Sequence, residues 1–229
     1  MKKTRWLRPA PEWRPALLVA LLVLGIALAS CAPKKAVPAG PRFEISIPAA
    51  AGGQPLTGRV FVMISRRDAP EPRLQVGSWG QTTPFFGADM ERLTPGTPAV
   101  IDANTLGYPV KSLKDIPAGD YFVQALFNIY TEFKRSDGHT VWAHMDQWEG
   151  QQFNRSPGNF YCEAQKIHLD AGQGYTIKLS LDKVIPPVEV PPDTEWVKRV
   201  KIQSQVLTEF WGHPIYLGAT VLLPKGYES

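Results

Sequence analysis

Cysteine is scarce. Of 229 residues only Cys31 and Cys162 carry a thiol, so a scaffold stapled by several disulfides is excluded. Excess charge is scarce too: residues 1–30 hold five bases and one acid, which leaves 20 of each sign beyond them and a formally neutral body. A nucleic-acid partner needs a basic face that displaces counterions, and none is available here. Helical periodicity is missing before residue 185, apart from room for one short turn over 88–93. No internal repeat, low-complexity tract or glycine-rich phosphate loop interrupts the body, and Gly172-Gln-Gly174 lacks the third glycine of such a loop. No cofactor is therefore expected. The hydrophobic fraction of 44% against 20% charged is globular in class, and the length suits one domain or one and part of a second.

What is present begins with an address. Five bases precede the apolar run Ala16–Ala29, which is of signal-peptide length and too short for a confident spanning helix. It ends in Leu28-Ala29-Ser30-Cys31, which resembles the bacterial lipoprotein signal, in which small residues precede a cysteine that is lipidated. That resemblance implies removal of residues 1–30, a lipid on Cys31 and attachment to a membrane of the cell envelope. Ala32, where an aspartate would signal retention, implies the outer membrane facing the periplasm. Residues 31–41 are rich in Pro, Ala and Gly and read as a flexible tether. In that oxidising compartment Cys162 has no partner, and it is expected as a small buried apolar residue rather than a nucleophile.

From residue 42 the dominant period is two. Tyr175, Ile177, Leu179 and Leu181 alternate with Thr176, Lys178 and Ser180; Val60, Val62 and Ile64 alternate with Phe61 and Met63. Residues 121–133 are apolar on both faces, as a central strand covered on each side would be. Shorter strands are expected over 42–47, 74–76, 99–101, 140–143 and 164–169, with a hairpin loop at 170–174 and a turn at Ser136-Asp137-Gly138. Several short strands with turns between them predict an all-β, antiparallel sandwich over 42–185. Ile116-Pro-Ala-Gly-Asp-Tyr121 resembles the turn that leads into a core strand of immunoglobulin- and prealbumin-like modules, where the tyrosine packs at the strand's start. Prolines at 186, 187, 191 and 192 then remove backbone donors, so 186–193 reads as a semi-rigid linker. Over 194–229 strand pattern resumes, with Val200, Ile202 and Val206 on one side and a last apolar run over 214–223.

The end of that extension, Tyr216-Leu-Gly-Ala-Thr-Val-Leu-Leu-Pro-Lys-Gly-Tyr227, resembles the opening strand of the esterase branch of the α/β-hydrolases, with its V-x-L-P-x-G-Y signature. The stretches 58–67, 144–154 and 192–199 resemble the N-terminal region of bacterial proteins of that branch. The resemblance implies a serine hydrolase domain as partner, with this chain as its accessory N-terminal part. The departure is as informative. A serine hydrolase of this class needs a G-x-S-x-G elbow between strand and helix, and no such pentapeptide exists. Val76-Gly-Ser-Trp-Gly80 and Asn154-Arg-Ser-Pro-Gly158 each have only the second glycine, and both serines read as turn residues. The chain is therefore expected to lack catalysis of its own, either as a truncated member or as a free-standing module.

Two further clusters carry potential chemistry. Asp137, His139, His144 and Asp146 bring four potential metal ligands close in sequence, but their spacing matches no closed zinc set, so strand-end polarity is the expectation. Segment 142–161 mixes aromatics with amides: Trp142, His144, Asp146, Trp148, Gln151, Phe153, Asn154 and Tyr161 are the candidate ligand contacts. Flat rings beside Asn and Gln suit a sugar, by stacking on C–H faces with paired donors and acceptors. The competing expectation is a long loop packed on its own aromatics, with Asp146 and Glu149 as solvated carboxylates. Were the first to hold, the chain would be a stand-alone envelope lipoprotein that binds a ligand such as a glycan.

Overall fold

The structure, a computed structural model, describes residues 40–49, 53–77 and 82–227. The signal segment, Cys31 and the tether up to residue 39 lie outside the described residues. In chain order the strands are β1 (Arg42–Ser46), β2 (Leu56–Ser65), β3 (Phe85–Leu93), β4 (Ala99–Asp102), β5 (Gly107–Tyr108), β6 (Gly119–Ile129) and β7 (Thr131–Lys134). They continue with β8 (Thr140–Ala143), β9 (Phe160–Tyr161), β10 (Gln165–Leu169), β11 (Thr176–Ser180), β12 (Lys183–Val184) and β13 (Val197–Gln203). Helix α1 (Gln205–Trp211) and β14 (Tyr216–Leu222) close the described chain.

Two sheets form the sandwich. The small one has the order β11-β1-β4, and the large one β12-β9-β6-β2-β3-β5, with β10 alongside the start of β6. All pairings are antiparallel except β1 with β11, which run parallel. Alternation explains the small sheet: Phe43, Ile45, Ile101 and Leu179 turn inward and are almost fully buried, while Arg42 and Glu44 on the outer face form an ion pair at 2.9 Å. Opposite them stand Val60, Val62, Ile64, Phe86, Val123 and Phe127 of the large sheet. Each such side chain contributes about 1.5–3 kcal/mol on burial.

The large sheet is covered on its other face as well, where Phe61, Met63, Leu126, Val76 and Ile185 form a second core with Phe153 and Tyr161. This is why 121–129 and 60–64 are apolar at consecutive positions. Tyr121 stands at the start of β6 as the sequence suggested; it is buried, its hydroxyl donates to the Pro117 carbonyl at 2.7 Å, and the Arg66 guanidinium lies 4.5 Å from its ring centroid.

Four local expectations are corrected. Residues 88–93 are not a helical turn but part of β3, because pairing with β2 over Phe85–Leu93 overrides the local preference. Residues 74–76 are not a strand: Pro72–Gln75 form a 3-10 turn, held by the Arg73 N–H donating to Gln124 and by the Gln75 amide donating to the Arg67 carbonyl. The turn 170–174 makes no hairpin, since β10 belongs to the large sheet and β11 to the small one, and the loop carries the chain across the core. Finally, Val206 lies in α1 rather than a strand; Ser204 caps the helix through its Oγ, which accepts from Leu207 N–H, and Gly212 ends it with φ at 72°.

Ile185, just before the linker, is buried, and the chain is exposed from 186 to 196. Arg199 fastens its far end, donating from its guanidinium to the Pro192 carbonyl at 2.9 Å and from its backbone to Asp193 at 2.9 Å. Strands β13 and β14 then pair only with each other. Their register puts Lys198, Val200, Ile202, Leu217, Ala219 and Val221 on one face, and Arg199, Lys201, Tyr216, Gly218 and Thr220 on the other. The first face is apolar and exposed: Ile202 is 60% and Leu217 56% accessible. No helix among the described residues is long and apolar enough to cross a membrane.

Candidate functional site

The candidate segment splits into two parts with different roles. Its second half is packing. Phe153 stacks on Phe61 of β2 with centroids 4.5 Å apart, and the Arg73 guanidinium lies 4.6 Å from the Tyr161 ring centroid. Asn154 is buried and donates from Nδ2 to the Arg73 and Val76 carbonyls at 2.7 and 3.0 Å, while Arg73 returns a bond to the Asn154 carbonyl at 2.7 Å. These three candidates hold the loop onto the large sheet. Gln151 is exposed with φ at 62°, and Trp142 projects from β8 at 46% accessibility, away from that packing.

The first half is a supported perch. Asn159 fixes it from below: its Oδ1 accepts the Ile129 N–H at 2.9 Å, and its Nδ2 donates to the Phe153 carbonyl and to Asn128 Oδ1 at 2.8 and 3.1 Å. Because both Asn159 ends meet backbone groups, its orientation is set, and so is that of Asn128. His144 Nδ1, 3.0 Å from Asn128 Oδ1, is therefore a donor. Its Nε2 lies 2.7 Å from the buried Glu149 carboxylate, whose other oxygen accepts the Gln147 N–H at 2.5 Å. Glu149 is thus no solvated loop carboxylate. Asp146 accepts the Trp148 N–H at 2.7 Å, and Trp148 sits with φ at 77°, an uncommon backbone for a bulky residue. Its ring lies over Gly218 of β14, where a Cβ would overlap the indole, and Lys201 Nζ stands 5.1 Å from the Trp148 centroid and 4.6 Å from that of Tyr216.

Of the eight candidates, His144, Asp146 and Trp148 form one local unit, and Phe153, Asn154 and Tyr161 a second. The amides that hold the perch, Asn128 and Asn159, were not among the candidates. Their signal was there, since Gln124 and Asn128 are polar positions inside an otherwise apolar strand, and buried amides must be bonded.

Among the described residues the bonded histidine nitrogens meet carboxylates or an amide: His144 meets Asn128 and Glu149, His139 meets Asp137, and His168 meets Asp120. The His168 hydrogen bond lowers the Asp120 carboxyl from its ordinary value. Among the same residues no group of three or more His, Cys, Asp or Glu is placed to hold a metal ion. Asp137 and His139 sit on the β7–β8 turn, whereas His144 turns to Glu149.

Cys162 is buried beside β6, its Sγ accepting the Ala125 N–H at 3.2 Å, and burial pushes the thiol up to about 11. A thiol with so little thiolate at neutral pH is unreactive. In a chain carrying Cys31→Ser, Ellman's reagent at pH 8 is expected to leave Cys162 unmodified until urea unfolds the protein; prompt reaction of the native chain refutes this burial.

No family model, curated protein or solved structure matches the chain.

Proposed function

We infer that the chain is the lipid-anchored, non-catalytic N-terminal module of an esterase of the α/β-hydrolase class, a β-sandwich that positions and shapes the hydrolase domain. The observation that carries this reading is the β13–β14 ribbon. A two-stranded sheet is marginal by itself, and this one leaves both outer edges unpaired and one face apolar and exposed. Such a surface favours a covering partner. Residues 216–227 are also those that resemble the opening of the hydrolase sheet, so the partner that fits is the rest of that sheet, added strand by strand and packed on Val200, Ile202, Leu217 and Val221. Anchoring through Cys31 would hold the assembly at the envelope membrane, on the periplasmic side of the outer one, with no nucleic acid involved.

The test has two arms. The chain alone is expected to read background on p-nitrophenyl butyrate, and turnover abolished by a serine-directed inhibitor would overturn the non-catalytic reading. The coding sequence read on past codon 229 is expected to supply a G-x-S-x-G elbow. Expressed with that continuation, the protein should hydrolyse the ester, and the pair Ile202→Glu with Leu217→Glu should cut the rate at least about tenfold, which corresponds to about 1.4 kcal/mol. A stop codon followed by unrelated sequence would sink the proposal.

A further inference from the structure

The ribbon's opposite face carries a separate site. Trp148, Val188, Val190 and Pro191, together with Lys201 and Gly218, line a groove of about 370 Å³, within the range of small-ligand sites. Its lining reaches Val200 and Ala219 of the apolar face, but the residues that carry the site, Trp148, Lys201 and Gly218, stand on or against the opposite face, so the site does not need a hydrolase domain. We propose that this groove binds an acidic saccharide, stacked on the Trp148 indole with its carboxylate on Lys201.

Four features lead there. First, the indole is 49% exposed and held still: Asp146 caps its backbone at positive φ, and the preceding turn is locked by the His144–Glu149 pair. A rigid flat ring at low entropic cost is what C–H stacking by a pyranose uses. Second, the ring can sit against the ribbon only because residue 218 is glycine. Third, Lys201 is the groove's uncommitted cation. Its ammonium lies against the rings of Trp148 and Tyr216 and, among the described residues, meets no carboxylate, whereas Arg199 is occupied by Pro192 and Asp193. Fourth, Glu189 also lines the groove without an ion pair to Lys201, so the two charges give the groove a polarity and direct an anionic group to the lysine end. The apolar walls Val188 and Val190 are themselves 40% and 66% accessible, which suits a rigid ligand with one apolar face better than an acyl chain that needs full enclosure.

Calorimetric titration of the full chain with a trimer of galacturonic acid tests this, with maltotriose as neutral saccharide and decanoate as apolar carboxylate. The acidic trimer is expected to bind, more weakly as salt rises. Lys201→Gln, an exposed position whose change leaves the fold intact, should weaken it about tenfold, and Gly218→Val should do the same by displacing the indole without removing a polar group. Trp148→Phe, which keeps a smaller ring, should fall between these variants and the parent. Equal affinity for maltotriose with Lys201→Gln unchanged overturns the carboxylate assignment. Binding of decanoate alone overturns the saccharide, and failure of all three ligands to bind overturns the site.

Discussion

Asn159→Leu is expected to cost the protein about 3 kcal/mol in urea unfolding and to loosen the segment from His144 to Phe153. The replacement matches the asparagine in shape and removes every polar contact at once. Ile129 N–H, the Phe153 carbonyl and Asn128 Oδ1 all lose a partner, and each lies at or near the buried face of the large sheet. An unsatisfied buried donor or acceptor costs about 1–3 kcal/mol, and partial access of water to the loop keeps the total near the lower end of the sum. Asn128 still holds His144, so the sandwich survives while its covering loop frays. Hydrogen exchange at residues 144–153 should rise in the variant. A loss below about 1 kcal/mol, with exchange unchanged, would mean that Asn159 does not organise the perch.

Gly58→Ala is the second large effect, and it strikes the sandwich itself. Gly58 pairs with Met90 on β3 and Ile129 on β6, next to a register shift at Leu56, in the middle of the large sheet. A Cβ there would overlap the Asn128 carbonyl oxygen and press on the Phe127 ring. The carbonyl belongs to the backbone of β6 and has no rotamer by which to yield, so one ladder must part from the other. Overpacking costs about 1–3 kcal/mol where side chains can adjust, and the upper end of that range or more is expected here. Gly138→Ala supplies the contrast. It sits on the β7–β8 turn with nothing near its absent Cβ, and only its φ of 85° opposes a side chain. About 1 kcal/mol is expected there. Thermal melts of the two variants decide the matter, and equal stability would show that space at Gly58 is not limiting.

Where side chains alternate over a half-buried strand, the fold was legible residue by residue. β1, β4 and β11 fall almost where alternation places them, because a period of two is a local property of one strand against one core. The apolar run declared its central position only as far as Ile129, since residues 131–134 leave the large sheet to pair with β8; the polar Gln124 and Asn128 within it pointed to the network beneath the loop. Legibility failed where a partner distant in sequence overrode local preference. Residues 88–93 carry good helix formers, yet β2 recruits them as a strand. The Ser204 and Gly212 caps of α1 were readable signals, but seven residues are too few for a stripe.

The candidate site divides on the same line. The aromatic and amide richness of 142–161 was plain from composition, but not which rings face water. Phe153 and Tyr161 turned under the sheet, while Trp148 stayed out because its backbone is pinned by Asp146 and its ring rests on Gly218.

By itself, then, the amino-acid order determined an all-β body with a proline-rich link and a neutral surface, since composition and alternation act over a few residues. Only the tertiary structure decided that Lys201 and Gly218 meet Trp148 on one side of a ribbon whose other side is left uncovered. Strand register, which no local pattern encodes, assigns each residue its face and its neighbour across the sheet.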